Sequence, residues 1–171
     1  MTKQCVIMIG IPRSGKSTIV SADYKDHQVI CADDIRTSLG FVFDKRIEPI
    51  VHAICEIECR AKMERGSNII IDETNVSQRI VKIWTDLADE YGYHKKALVV
   101  HTPFKECIKR NHGERAVPKE VIERMNKELN EFMKSKELQN LVDEIIFHKP
   151  TEIRRNTELK KYPLRRGCNN G

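Results

Sequence analysis

Hydrophobic positions along this chain fall into two kinds of block. Short continuous apolar runs alternate with longer stretches in which apolar residues recur at helical spacing. Five runs read as strands: Gln4-Cys5-Val6-Ile7-Met8-Ile9, Gln28-Val29-Ile30-Cys31, Asn68-Ile69-Ile70-Ile71, Lys96-Ala97-Leu98-Val99-Val100-His101 and Glu144-Ile145-Ile146-Phe147-His148. With so few polar residues to turn toward water, they predict strands covered on both faces.

Helices are predicted between them. Ser17-Thr18-Ile19-Val20 opens one, and residues 33–39 form a short one whose start an Asp can cap. From Ile47 to Met63, positions 47, 50, 51, 54, 57 and 61 mark one apolar face, and Gly66 ends that helix. Ser77 would cap the next, with Ile80, Trp84, Leu87, Ala88 and Tyr91 turned inward. Pro103 starts a helix running to about Asn111, His112 to Ala116 reads as a loop, and Pro118 opens a helix with Val121, Ile122, Met125, Leu129 and Phe132 on one face. Strands alternating with helices in this way predict an α/β fold: a parallel sheet of four to five strands, helices on both faces, and a ligand outside the strands' carboxyl ends.

Composition narrows the picture. At 171 residues and 40% hydrophobic, the chain suits one domain, residues 1–148, followed by a tail, residues 149–171. The net charge is +5, and the tail carries it, with seven Lys or Arg against two Glu. That tail is either a solvated terminus or a basic arm for a polyanion. Nothing resembles a signal peptide or a membrane span, so the expectation is a soluble cytoplasmic protein with no membrane partner. The six cysteines (5, 31, 55, 59, 107 and 168) are scattered, which argues for reduced thiols and against a disulfide framework. His52, Cys55 and Cys59 fall on one helix face, but without a fourth ligand they do not predict a metal site.

The candidate chemistry begins at Gly10-Ile11-Pro12-Arg13-Ser14-Gly15-Lys16-Ser17, which fits the phosphate-loop pattern G-x-x-x-x-G-K-[ST] between a strand and a helix. Glycines at 10 and 15 let backbone N–H groups curl around a phosphate, and the helix that follows adds its positive end. Lys16 would reach the β- and γ-phosphates of ATP, while the Ser17 hydroxyl would ligate Mg²⁺. Whatever follows the other strands should line the same crevice: Asp33, Asp34 and Arg36, then Asp72 to Asn75, then His101 and Thr102. A kinase needs a carboxylate to take the proton of the attacking hydroxyl, and the Asp pair offers one. Arg36 suits a substrate phosphate bidentately, or an ion pair with Asp72 or Glu73. Ile69-Ile70-Ile71-Asp72 has the form of a Walker B strand, whose Asp holds Mg²⁺. Arginines at 110 and 115, in or beside the loop between two helices, can close over ATP or remain ordinary solvated charge.

The order of motifs resembles the phage-type 5′-polynucleotide kinases. The resemblance rests on G-x-P-x-S-G-K-S-T at 10–18, D-D-x-R at 33–36, T-N at 74–75, K-R-N at 109–111 and A-V-P at 116–118. It covers residues 4 to about 134 and implies a P-loop kinase with a helical lid that moves the γ-phosphoryl of ATP onto the 5′-hydroxyl of DNA or RNA. By that resemblance Gly10, Ser14, Gly15, Lys16, Ser17 and Thr18 hold the phosphates, with Ser17 also on the metal. Asp33 is the general base, and Arg36 and Thr74 bind the acceptor. The acid after the third strand matches as Asp72 or Glu73. Arg115 stands where a lid arginine would, and Arg110 and Val117 flank the adenine. The companion phosphatase motif D-x-D-x-[TV] does not occur in the sequence, which implies a kinase without that activity. Two other readings are a P-loop kinase for a small-molecule, nucleoside or protein acceptor, and a nucleotide-gated binding module. Against the second, the nearest string to N-K-x-D, Asn126-Lys127-Glu128-Leu129, lacks the Asp.

Overall fold

A computed structural model describes residues 2–41, 43–113 and 115–148. The basic tail expected to carry the excess charge, together with Cys168, lies outside the described residues. Five strands, β1 (Gln4–Ile9), β2 (Gln28–Ile30), β3 (Ile69–Ile71), β4 (His94–Val100) and β5 (Glu144–His148), form one sheet in the order β2-β3-β1-β4-β5, and every neighbouring pair is parallel. Strand β1 lies at the centre, paired with β3 through Cys5↔Ile69 and with β4 through Val6↔Lys96.

Its continuous apolar run is explained by burial on both faces. Cys5, Ile7 and Ile9 pack into the larger core with Trp84, Leu87, Ile122 and Phe132, while Val6 and Met8 meet Ile19 and Val20 of α1 (Lys16–Asp23) in the smaller one. Because the chain crosses from β3 over β1 to β4, the sheet order reverses at β1's carboxyl end, the place where such sheets open a ligand crevice.

The remaining helices are α2 (Ala32–Ser38), α3 (Glu48–Glu64), α4 (Gln78–Glu90), α5 (Phe104–Arg110), α6 (Lys119–Ser135) and α7 (Leu138–Leu141). Three differ from what the sequence suggests. Cys31, with no side-chain cap bond, precedes α2, so Asp33 sits in the first turn instead of capping it. The buried face of α3 is Val51, Cys55, Cys59 and Met63, an i, i+4 row, while Ile50 and Ile57 of the expected face are exposed. Small buried cysteines, which pack as hydrophobes, set that rotation. The four-residue α7 was not anticipated at all; it is too short to leave a period. Gly66, with φ +74°, ends α3 as expected. Among the described residues no helix is long and apolar enough to cross a membrane.

Candidate active site

The loop between β1 and α1 folds back on itself through Lys16. Its Nζ donates to the carbonyl oxygens of Gly10 (2.8 Å) and Ile11 (2.9 Å), the loop's own first carbonyls. Burial pulls the ammonium's pKa down to about 8, against the opposing pull of Asp72. A charged amine held in so dry a place gains most from an arriving polyanion.

Two glycines make this shape possible for different reasons. Gly15, with φ +101° at the start of α1, occupies backbone space that side-chain-bearing residues avoid. At Gly10 the constraint is approach: a Cβ there would stand 2.8 Å from Ser14 Oγ and 2.9 Å from the Val100 carbonyl oxygen. Since one of those neighbours is backbone of the adjacent strand, it cannot turn aside. Gly10→Ala is therefore expected to lower stability by about 1–3 kcal/mol, the usual range for overpacking, and to weaken nucleotide binding. Denaturant titration and nucleotide titration of the same variant check both effects.

Neighbouring strands clamp the loop from outside. The Gly10 N–H donates to the Thr74 carbonyl (3.0 Å) after β3, and Thr102 Oγ1 donates to the Ser14 carbonyl (2.7 Å) after β4. Thr102 is thus committed to holding the loop, and His101 beside it is exposed. Thr74 likewise enters through its backbone. Asn75, fully buried, donates from Nδ2 to the Met8 carbonyl (2.8 Å) and accepts from Trp84 Nε1 (3.2 Å). Both stand among the residues expected to line the crevice, Asn75 within the T-N string, while their anchoring contacts run between strands and leave no local pattern.

The two acids after β3 separate. Asp72 lies beside Ser17 and Lys16 of the phosphate loop, both of which favour its charged form; burial nonetheless raises its pKa. Glu73 turns toward α3, near His52, Arg36 and Cys55; burial raises its pKa too, and its Oε1 is buried without a hydrogen-bond partner. Consecutive residues leaving a strand point to opposite sides, so one sequence position contributes to each half of the crevice.

Asp33 and Arg36 lie three residues apart on one side of α2 and bond to each other through Arg36 Nη1 and Asp33 Oδ1. The expected ion pair of Arg36 with Asp72 or Glu73 is not the one made. Arg36 is gripped bidentately by Glu48 at the start of α3, Nε to Oε1 at 2.8 Å and Nη2 to Oε2 at 2.6 Å, and this grip raises the guanidinium's pKa further. Glu48 is a site residue that the sequence reading passed over. Twelve positions from Arg36, it belongs to no phosphate-loop pattern, and only the packing of α2 on α3 brings it in. The Asp33 side chain remains largely exposed while those of Arg36 and Glu48 are mostly covered.

On the far side, Asn111 joins the end of α5 to the loop before α6. Its Nδ2 donates to the Val117 carbonyl (2.6 Å), and its Oδ1 accepts from the Val117 N–H (2.9 Å). This two-way bond sets Val117 beside Asn111 at the end of α5. Arg110 itself bonds Glu106 at 3.0 Å. Arg115 is exposed, and its backbone carbonyl, not its guanidinium, makes the contact: Arg13 Nη2 of the phosphate loop reaches it at 2.6 Å. Arg13, in a positive-φ conformation, is the link between loop and lid that the sequence did not mark.

The residues on hand suit a divalent cation. Ser17 and Asp72 present hard oxygen donors near each other at the phosphate loop, the donor type Mg²⁺ prefers. His52, Cys55 and Cys59 do not. Cys55 and Cys59 point into the core with thiol pKa values pushed by burial up to about 12, and no metal-binding group of His, Cys, Asp and Glu occurs among the described residues.

Known proteins share this fold. A protein of Autographa californica nuclear polyhedrosis virus, named as a bifunctional polynucleotide kinase/RNA ligase, is 24% identical over 126 residues, covering 65% of this chain and 18% of that protein. A chain in the structure of the Pnkp1/Rnl/Hen1 RNA repair complex superposes with TM-score 0.70 at 24% identity, covering 78% of this chain and 46% of that one. This chain therefore spans less than half the length of either. A gluconokinase from Sinorhizobium meliloti superposes with TM-score 0.55 at 12% identity, covering 87% of this chain and 83% of its own. The fold is that of the P-loop kinases. Residues 5–132 match the model of the family described as AAA domain, and a match over that much of the sequence makes this chain a member of that P-loop family.

Proposed function

We propose that the protein is an ATP-dependent kinase for the 5′-hydroxyl end of a nucleic acid, DNA or RNA, with Mg²⁺ as the accompanying ion. The observation that carries this reading is the pairing of Asp33 with a guanidinium pre-set by Glu48 at the rim of a phosphate loop. An acceptor that brings its own phosphate is what such a pair recognises: the hydroxyl meets the carboxylate while the neighbouring phosphate meets the arginine. A neutral sugar acceptor would have no use for a mostly covered, always-charged guanidinium there. The likeness to relatives named for polynucleotide kinase activity supports the same choice.

Phosphoryl transfer then divides among named groups. Backbone amides of residues 10–17 and Lys16 hold the β- and γ-phosphates. Ser17 and Asp72 would hold Mg²⁺, which neutralises charge on the phosphate oxygens. Arg36 occupies Asp33 Oδ1, leaving Oδ2 to take the acceptor's hydroxyl proton. As that proton moves, the hydroxyl oxygen bonds to the γ-phosphorus, and the bond from that phosphorus to its bridging oxygen breaks to release ADP. Thr18 continues the helix start behind the phosphates. Glu73 backs Arg36 from the α3 side. Arg110 and Val117 border the nucleotide base, and Arg115 is the arginine of this loop left to approach the transferring group when it closes.

Removing the guanidinium separates the two sides of the site. Arg36→Ala is expected to raise KM for a 5′-hydroxyl oligonucleotide by about 10- to 100-fold, the worth of a charged bidentate bond, while KM for ATP stays as in the wild type. Steady-state transfer from labelled ATP measures both. Should the variant instead phosphorylate oligonucleotides with the wild-type KM, Arg36 does not hold the acceptor's phosphate.

A further inference from the structure

The chain has five phenylalanines, and their placement is uneven. Phe132 is buried and Phe104 packs against the core, whereas Phe41 and Phe43 are 50% and 61% exposed within one short stretch between α2 and α3. That stretch is held against the site. The Phe41 N–H donates to the Arg36 carbonyl (2.9 Å), and the Arg36 guanidinium lies over the Phe43 ring, 5.7 Å from its centroid. Asp44 follows Phe43 and pairs with Arg46 (Nη2 to Oδ2 at 2.7 Å), and Lys45 between them is exposed, so one lysine adds positive charge beside the aromatic pair. Single exposed apolar residues need no explanation. Two aromatic rings beside the guanidinium proposed above to meet an acceptor phosphate do, because every nucleobase offers a π-face and every linkage a negative charge.

We propose that Phe43, with Phe41 beyond it, is a stacking platform for the bases of a single-stranded acceptor on the 3′ side of the reacting end. This rests on the kinase reading above and specifies its substrate: an unpaired strand, gripped by its first internucleotide phosphate at Arg36 and by an unstacked base at Phe43. Stacking of this kind tolerates any base, so the platform gives reach along the strand without sequence preference.

The test uses the full chain as wild type, Phe43→Ala, Phe43→Trp and Phe41→Ala, with Phe147→Ala as control, since Phe147 is equally exposed but lies on the β5 edge strand. Acceptors are a short single-stranded 5′-hydroxyl oligonucleotide and the same strand with an abasic site next to its 5′ end. On the intact strand Phe43→Ala is expected to raise KM about tenfold with kcat little changed. Phe43→Trp restores it, Phe41→Ala has a smaller effect, and Phe147→Ala has none. On the abasic strand wild type and Phe43→Ala converge. A 2-aminopurine placed at that position is quenched by the wild type and not by Phe43→Ala.

Equal KM for wild type and Phe43→Ala on the intact strand overturns the platform while leaving the kinase reading standing. If Phe43→Ala changes the oligomeric state in light scattering and leaves that KM unchanged, the rings face a protein and the proposal is likewise overturned. A wild type that transfers phosphate to no oligonucleotide overturns both.

Discussion

Asp33→Ala is expected to lower kcat for transfer from ATP to a 5′-hydroxyl oligonucleotide by about 10²- to 10⁴-fold, the usual worth of a general base. ATP binding should stay near its wild-type strength, because the groups around the phosphates, Lys16, Ser17 and Asp72, do not bond to Asp33. The obvious confounder is Arg36, which loses one partner in this variant. Its other partner is stronger: Glu48 holds two of its nitrogens, so the guanidinium stays in place and acceptor KM should change less than kcat. Asp33→Asn separates proton transfer from shape, since the amide keeps the size and still accepts from Arg36 but has no basic oxygen. Rapid-quench transfer with labelled ATP checks the chemical step directly. Near-normal turnover in either variant removes Asp33 from the role of base.

What made the placement of Asp33 and Lys16 legible in the sequence is that it is tied to local backbone. A loop of fixed length between strand and helix must place Lys16 over its own first carbonyls, and a residue at the start of a helix after β2 must face the sheet's carboxyl edge. Glu48 was illegible for the opposite reason. It acts on Arg36 through the packing of one helix on another, and no short spacing encodes that. The choice between Asp72 and Glu73 was open on a similar ground. Their division depends on which side of β3 each faces, and both sides carry functional groups.

Strand β1 has the bounds expected, Gln4 to Ile9, because a run buried on both faces leaves no polar position at which to slip. The β4 strand begins earlier than its apolar core, at His94, since Lys95 and Lys96 can sit in a strand and send their charges to Asp89 and Glu144 at the edge. In α3 the hydrophobic pattern pointed to the wrong stripe. Isoleucines outrank cysteines on any hydropathy scale, yet Cys55 and Cys59 fit against Ile69 and Ile71 in the core where space is short, while Ile57 is left in solvent. Size, not hydropathy, chose that face.

The largest stability effect is expected at Asn75. Asn75→Ala should cost about 3–5 kcal/mol, lowering Tm by roughly 10 °C. Three penalties add. The Met8 carbonyl at the centre of the sheet loses its donor, Trp84 Nε1 is left buried without an acceptor, and alanine must hold a φ of +46° that asparagine tolerates far better. Trp84→Phe is the milder partner, because it removes the indole donor and leaves one orphaned oxygen; about 1–2 kcal/mol is expected. Denaturant unfolding of the two single variants and the double variant should show less than the sum, since the Asn75–Trp84 bond is counted in both. The Asn75→Ala change should also reach the site. Thr74, its neighbour, accepts the Gly10 N–H, so loosening this turn loosens the first residue of the phosphate loop and raises KM for ATP. If Asn75→Ala unfolds at the wild-type midpoint, the turn after β3 is held by its surroundings, and the two hydrogen bonds of Asn75 are not what anchors the loop to the sheet.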